Sequence, residues 1–335
     1  LNFPSIISLL VLPLAAIEPG IPNVSDRSTS NWVVSADFLA WQASEEIASI
    51  WTGVFTLEDN KNTWSLPSFD FNWNYGFRVG AGYDMLHDEW DTIVYWSWFR
   101  TDGEHAIPPS SAIYLIQPEF DAALLSGITL DSFSSPSSMS ARWSLLYNMF
   151  DWELGRSYWV SQHLSLRPFI GVKGGWIHQA IDAKYNDLTF FEIFPSTDAG
   201  IERLTNHFWG VGPTGGINTQ WRLAAFGSHF FDCFGDFSTA TMWGRWSCSD
   251  VYKNPLPTTY SIITEDSSLG ALMFRGCLGL GWDAHFRNNK SHFAAKLGFE
   301  SQLWLNQLRI ATFQVQRLHH DLTLQGVTFN VRFDF

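Results

Sequence analysis

The closing segment of the chain constrains its fold more than any other. From Val327 to Phe335 apolar and polar residues alternate without a break: Val327, Phe329, Val331, Phe333 and Phe335 on one side, Thr328, Asn330, Arg332 and Asp334 on the other. Successive side chains of a strand point to opposite faces, so a period of two predicts a strand with one apolar and one polar face. The pattern recurs upstream. Phe71, Trp73, Tyr75, Phe77, Val79, Ala81 and Tyr83 alternate with Asn72, Asn74, Gly76, Arg78, Gly80, Gly82 and Asp84. Leu164, Leu166, Ile170, Val172 and Trp176 oppose Ser165, Arg167, Lys173 and Gly175. Trp209, Val211, Ile217 and Trp221 oppose Thr214, Asn218, Gln220 and Arg222. Leu272, Phe274, Leu278, Leu280 and Trp282 oppose Arg275, Cys277 and Asp283, while Phe293, Ala295, Leu297 and Phe299 oppose Lys296, Glu300 and Gln302. Helical spacing would mix these sets.

Composition tells which kind of strand protein this is. The chain of 335 residues holds 18 Trp, 28 Phe and 9 Tyr, yet its mean hydropathy is close to neutral. No apolar run approaches the roughly 20 residues of a membrane-spanning helix. Abundant aromatics that cancel against polar residues are expected of a transmembrane β-barrel, in which lipid-facing and lumen-facing positions alternate. A soluble sandwich or lectin is the competing class. A terminal Phe335 after alternating aromatics resembles the recognition signal of the barrel-assembly machinery. The net charge of −13 excludes nucleic acid as a partner, which calls for a basic surface.

Turn signals give the topology. Short polar breaks fall near His87, Ser161 to His163, Ala225 to Ser228 and Asn288 to Lys290, and long polar stretches cover residues 43–68, 102–138, 184–204, 249–267 and 306–319. Short and long connections alternate, as in barrels with tight periplasmic turns and long extracellular loops. With Trp32 to Trp41 as the first strand, this predicts an all-β antiparallel barrel of about 10 strands, both ends periplasmic, or 12 or more if the loops hide further strands. Phase weakens around Asp151 and Phe230, which predicts bulges or shifted boundaries there. The apolar run Ile6 to Ile17 has the length of a signal-peptide core, though without an initial Met or a basic flank. Residues 1–20 are therefore expected to be a signal peptide and 21–335 one barrel domain. Cys233, Cys248 and Cys277 match no zinc spacing and are expected to be buried thiols; an intermolecular bridge through one of them is the sharper alternative.

Several segments, taken in order, are similar to a known family. Ala36-Asp-Phe-Leu-Ala-Trp41, Gly76-Phe-Arg-Val-Gly-Ala-Gly-Tyr83 before Trp90-Asp91, Asp151-Trp-Glu-Leu-Gly-Arg156, Arg167-Pro-Phe-Ile-Gly171, Phe208-Trp-Gly-Val-Gly-Pro213 and Leu324-Gln-Gly-Val-Thr-Phe329 resemble the Legionella-type major-outer-membrane-protein-like family of pore-forming barrels, also found in Chlamydia-related bacteria. The resemblance implies an outer-membrane, porin-like protein surrounded by outer-membrane lipid.

The residues then suggest where function lies. Phasing puts Arg78, Asp91, Arg142, Arg167, Lys173, Arg222, Arg275, Lys296, Glu300 and Arg332 on the lumen wall, among acids that include Asp37, Asp84, Asp283 and Asp334. A polar, slightly basic lumen would pass small hydrophilic solutes by passive diffusion and favour anions; charges that pair across the lumen are the alternative. Trp90, Trp96, Trp98, Tyr83, Trp176 and Trp282 are expected at lipid-facing or girdle positions. Gly210 to Gly215 fits a dinucleotide expression, but no helix follows it, so no cofactor is expected. His319 and His320, if in a strand, would point to opposite faces and could not share a metal; an exposed loop end is expected there, and no metal. Glu45, Glu46, Glu104, His105 and Glu119 have no spacing that assembles a catalytic constellation, so no enzyme is expected. The alternative to a pore is a structural or adhesive surface barrel acting through its long acidic loops. A homo-oligomer is compatible with either, and no feature requires one.

Overall fold

The computed structural model describes residues 32–45, 52–58, 61–85, 89–109, 113–118, 137–186, 199–253, 259–286, 291–311 and 317–335. The run Ile6 to Ile17, with the expected signal peptide, lies outside them, as do Glu46 and Glu119. Ten antiparallel strands close into a barrel. In chain order they are β1 (Trp32–Glu45), β2 (Asn74–Met85), β3 (Trp90–Ile107), β4 (Ser138–Arg156), β5 (Leu164–Asn186), β6 (Gly200–Phe226), β7 (His229–Lys253), β8 (Thr259–Phe286), β9 (Ser291–Ala311) and β10 (Arg317–Asp334). Each pairs with its chain neighbours, and β1 pairs with β10 to close the ring, with Phe38 opposite Phe329. Two short strands, Asp70–Phe71 against β3 and Tyr158–Trp159 against β5, extend the sheet. Thr52–Glu58, Lys61–Ser65 and Ile113–Pro118 form a separate three-stranded sheet from the first two long connections.

The strands are long. β8 has 28 residues and β6 has 27, against the roughly 9–11 that cross a bilayer. The polar stretches 184–204 and 249–267 were expected as loops, yet β5 runs to Asn186, β7 to Lys253 and β8 starts at Thr259. Polar residues on both faces signal strand that has left the lipid, not strand that has ended. His319 and His320 likewise lie within β10, on opposite faces, and not at a loop end. Gly210 to Gly215 sits inside unbroken β6.

Phase fails at different places from those expected. Around Asp151 the register is unbroken, with Tyr95 and Lys173 opposite Asp151 on either side. Near Phe230 the irregularity lies on the partner strand, between Arg222 and Ala224. Further shifts fall at Gly244/Arg245 and at Trp304/Leu308, where Asn306 takes a positive φ of 52°. A fourth break lies at Asn72 and Trp73: Phe71 turns inward against Trp143, out of phase with Tyr75 and Val79 outside. Cys233, Cys248 and Cys277 form no disulfide among the described residues. Cys233 and Cys248 lie on the same strand.

The outer face carries a belt of exposed apolar side chains. On β7 it runs from Phe231 through Phe237 to Trp243, which at about 3.3 Å per residue and a tilt near 40° covers roughly 30 Å. Tyr83, Trp90, Trp96 and Trp176 are more than a third exposed on this face; Trp98 and Trp282 share it by register. Toward the long connections the belt gives way to ion pairs, Arg142 with Asp102, Arg203 with Asp182 and Arg245 with Glu265. Trp32 and Phe335 bond backbone to backbone at the opposite end, with the short turns.

Closure depends on a close approach at Gly326. A Cβ there would land on the Ala40 carbonyl oxygen and within 2.8 Å of Trp41 Cα. Gly326→Val is expected to destabilise the barrel by about 1–3 kcal/mol, the usual cost of overpacking. The midpoint of urea unfolding in micelles reads it; an unchanged midpoint would show that the seam has slack.

Candidate functional site: the charged half of the lumen

Ten strands enclose a narrow interior, and side chains fill most of it. They do so in two layers. Toward the extracellular connections the interior is apolar: Trp41, Phe99, Trp143, Tyr147, Phe208, Trp246 and Trp304 are fully buried. Their rings pack in sequence around the ring of strands, Trp41 with Phe99 at 5.6 Å, Trp41 with Tyr147 at 6.4 Å and Tyr147 with Trp304 at 6.0 Å. Phe69 and Phe71 cover Trp143. Buried polar groups lie among the aromatics, Glu45, Glu202 and Asp250 included. The Trp143 indole donates to Gln179 Oε1 at 2.9 Å, Gln179 donates to Glu45 and Gln307, and the Trp246 indole donates to the Gln307 carbonyl at 2.9 Å.

Toward the periplasmic turns the interior is charged. Arg78, on β2, donates to Asp37 at 2.9 Å on β1, to Glu300 at 2.8 Å on β9 and to Ser97 at 3.0 Å on β3. Glu300 is fully buried and also accepts from Arg275 at 2.7 Å, Gln302 at 2.8 Å and Thr328 at 3.2 Å. A second cluster centres on Arg167, whose Nε reaches Asp91 at 2.9 Å and whose Nη1 reaches Glu153 at 2.9 Å and Asn218 at 2.8 Å. Gly155 leaves room for that guanidinium; a Cβ would sit 2.6 Å from its Cζ. A third chain runs from Arg332 to Asp334, then through the His292 ring to Asp283, and Gln220 bridges Asp283 and Asp232. Lys173 pairs with Asp151. Between the clusters lies a cavity of about 230 Å³, lined by residues from Ser157 at a turn up to Tyr147 and Gln302. The Tyr147 hydroxyl donates to Gln302 at 3.0 Å, and with that bond the aromatic layer begins.

Residues 24–335 match the family model described as Legionella pneumophila major outer membrane protein precursor. The chain belongs to that family. Its place is the bacterial outer membrane. No curated protein matches the chain by sequence. Among solved structures it is similar to the outer membrane protease OmpT from Escherichia coli, with 10% identity, a TM-score of 0.43 and coverage of 91% of this chain and 97% of that one. It is also similar to the toluene transporter TodX of P. putida, with 7% identity, a TM-score of 0.32 and coverage of 91% and 90%. A third is Ail, the attachment invasion locus protein of Yersinia pestis, with 8% identity, a TM-score of 0.23 and coverage of 90% and 99%.

Within this family member the inward-facing set differs from the sequence expectation in three respects. Arg78, Asp91, Arg167, Lys173, Arg222, Arg275, Lys296, Glu300 and Arg332 do face the interior, and most are tied into the networks above. Arg142 does not. On β4 the inward residues are Met139, Ala141, Trp143, Leu145 and Tyr147, so Arg142 points outward, 57% exposed and paired with Asp102 and Glu104. Second, the interior holds more acids than expected. Asp151, Glu153, Asp232 and Asp236 also face it, although around the cavity itself cations still outnumber carboxylates. Third, a polar lumen was expected throughout, and only half of it is polar. Asp151 and Glu153 were legible from the outward run Phe150, Trp152 and Leu154. Asp232 and Asp236 were hidden because Phe230 and Phe234 share their face.

Removing one partner from a buried ion cluster strands the others. Arg167→Met should therefore destabilise the barrel by about 3–5 kcal/mol, whereas Arg142→Ala, on the exposed face, should cost about 0–1 kcal/mol. Adding Asp91→Asn and Glu153→Gln to Arg167→Met should recover much of the loss. Equal unfolding midpoints for the two single variants would contradict the assigned faces.

Proposed function

We propose that this barrel is a pore protein of the outer membrane with a closed resting state, admitting small hydrophilic solutes only when its outer aromatic layer gives way. The division of the lumen carries this reading. A cavity walled by charged and amide side chains fits small hydrated solutes, and an apolar filling would have stabilised the same volume at less desolvation cost. Above it, the rings of Trp41, Trp143, Tyr147 and Trp304 are fully buried, and Tyr147 packs against both Trp41 and Trp304. Passive diffusion through a permanently open channel fits this interior poorly. Because cations outnumber carboxylates around the cavity, Arg78, Arg167, Lys173, Arg275, Lys296 and Arg332 against Asp37, Asp151, Glu153 and Asp236, any conducting state should favour anions weakly.

A second reading, a structural or adhesive surface barrel, is favoured by the strands that continue past the lipid belt and by the three-stranded sheet built from the first two long connections. Planar-bilayer recording separates the two. The wild-type barrel should show no stable open steps at low voltage. Trp143→Ala combined with Trp304→Ala should produce discrete steps whose reversal potential in a salt gradient indicates anion preference. Stable wild-type steps would refute the closed state. Silence from a thinned variant that still shows the heat-modifiable gel shift of a folded barrel would leave the surface role as the better account.

A further inference from the structure

The outward face of β4 to β7 is ordered in rows that follow the strand register. The lowest row is aromatic, Trp176 beside Trp209, at the top of the lipid belt. Next, His178 lies directly opposite His207, their rings 4.6 Å apart and edge to face. Above them runs a row of small side chains, Ser144, Ala180, Thr205 and Ser249, each the register partner of the one before. Then come Arg142, Asp182 and Arg203. The last row sets Lys184 and Lys253 on either side of Ile201.

This order has a chemical meaning. The small row stands lower than the rows that flank it, and its hydroxyls, of which Ser144 and Thr205 donate to the Ala180 and Ser249 carbonyls, can accept hydrogen bonds from a sugar. Imidazole N–H groups edge it on the membrane side. On the solvent side Arg142 is held by Asp102 and Glu104, and Arg203 by Asp182 at 3.5 Å. Lys184 and Lys253 stand on the exposed face, so this edge is cationic on a protein whose net charge is −13. Histidines facing outward just above tryptophans sit where apolar lipid meets headgroups, the level at which such aromatics collect. Phosphate oxygens accept hydrogen bonds from imidazole, ammonium and guanidinium donors, the last often in pairs.

We infer that this face is a binding site for a phosphorylated sugar headgroup, the lipid A portion of the outer-leaflet glycolipid, with one phosphate at the His178–His207 pair, the other toward Lys184 and Lys253, and its sugars over the Ser144 to Ser249 row between them. Charge complementarity, hydroxyl lining and the depth in the membrane select this occupant over a glycerophospholipid, which has the phosphate but not the sugar ring.

The test uses the folded full barrel in non-ionic micelles, with lipid A carrying both phosphates, lipid A stripped of phosphate, and phosphatidylglycerol as probes. Native mass spectrometry counts retained lipid, and thermal unfolding reads the stabilisation. Phosphorylated lipid A should bind at least ten-fold more tightly than the other two. His178→Gln with His207→Gln, and separately Lys184→Gln with Lys253→Gln, should erase that preference while keeping the heat-modifiable shift. Arg156→Gln, at the periplasmic rim, should leave it intact. Equal binding of stripped and phosphorylated lipid A, equal binding of phosphatidylglycerol, or full preference in both double variants would overturn the assignment.

Discussion

Closure of ten strands into one ring is the constraint on which everything else depends. A sheet that joins its own edges leaves no backbone group unpaired in lipid, but it also fixes how much room lies inside. At this strand number the room is little more than side chains can fill. Every inward position must therefore be occupied by something that packs or pairs. The barrel does both, aromatics in one half and ion clusters in the other. The glycines at tight approaches, Gly155 beside Arg167 and Gly326 beside Trp41, are where that shortage of space is met with the smallest residue.

Alternating sequence made the outward face and the charged half legible. Arg78, Arg167, Lys173 and Arg332 could be placed from period two because their neighbours on the lipid side are unmistakably apolar. The apolar half could not be read in the same way. Where Leu145, Tyr147 and Met149 face inward and Leu146 outward, both faces are apolar and alternation carries no information. Arg142 was misplaced for a related reason. Once a strand leaves the lipid, charge no longer marks the lumen, and Arg142 stands among Asp102, Glu104 and Asp182 on the outside. Loop lengths were overestimated by the same confusion, since polar strand above the membrane resembles loop.

The two halves of the interior have different physical consequences. Apolar packing is tolerant of rearrangement, because rings that slide past one another exchange similar contacts. An ion cluster is not, because each displaced charge needs a new partner or water. The charged half therefore holds its shape and the aromatic half is the part that can yield. On the proposed pore reading, that difference would put the opening at the extracellular side.

Glu300 ties this architecture to the order in which it can form. Its partner Arg78 lies 222 residues earlier in the chain, on a strand that meets β9 only across the closing seam of β1 and β10. In an open sheet that carboxylate stays hydrated, with Arg275 on neighbouring β8 as its close companion. When the last seam zips, water leaves and Arg78 arrives together. A barrel closed one register out, with its side-chain alternation shifted, would trap the carboxylate away from its donors. Glu300 thus gains both of its guanidinium donors only where the seam closes in register.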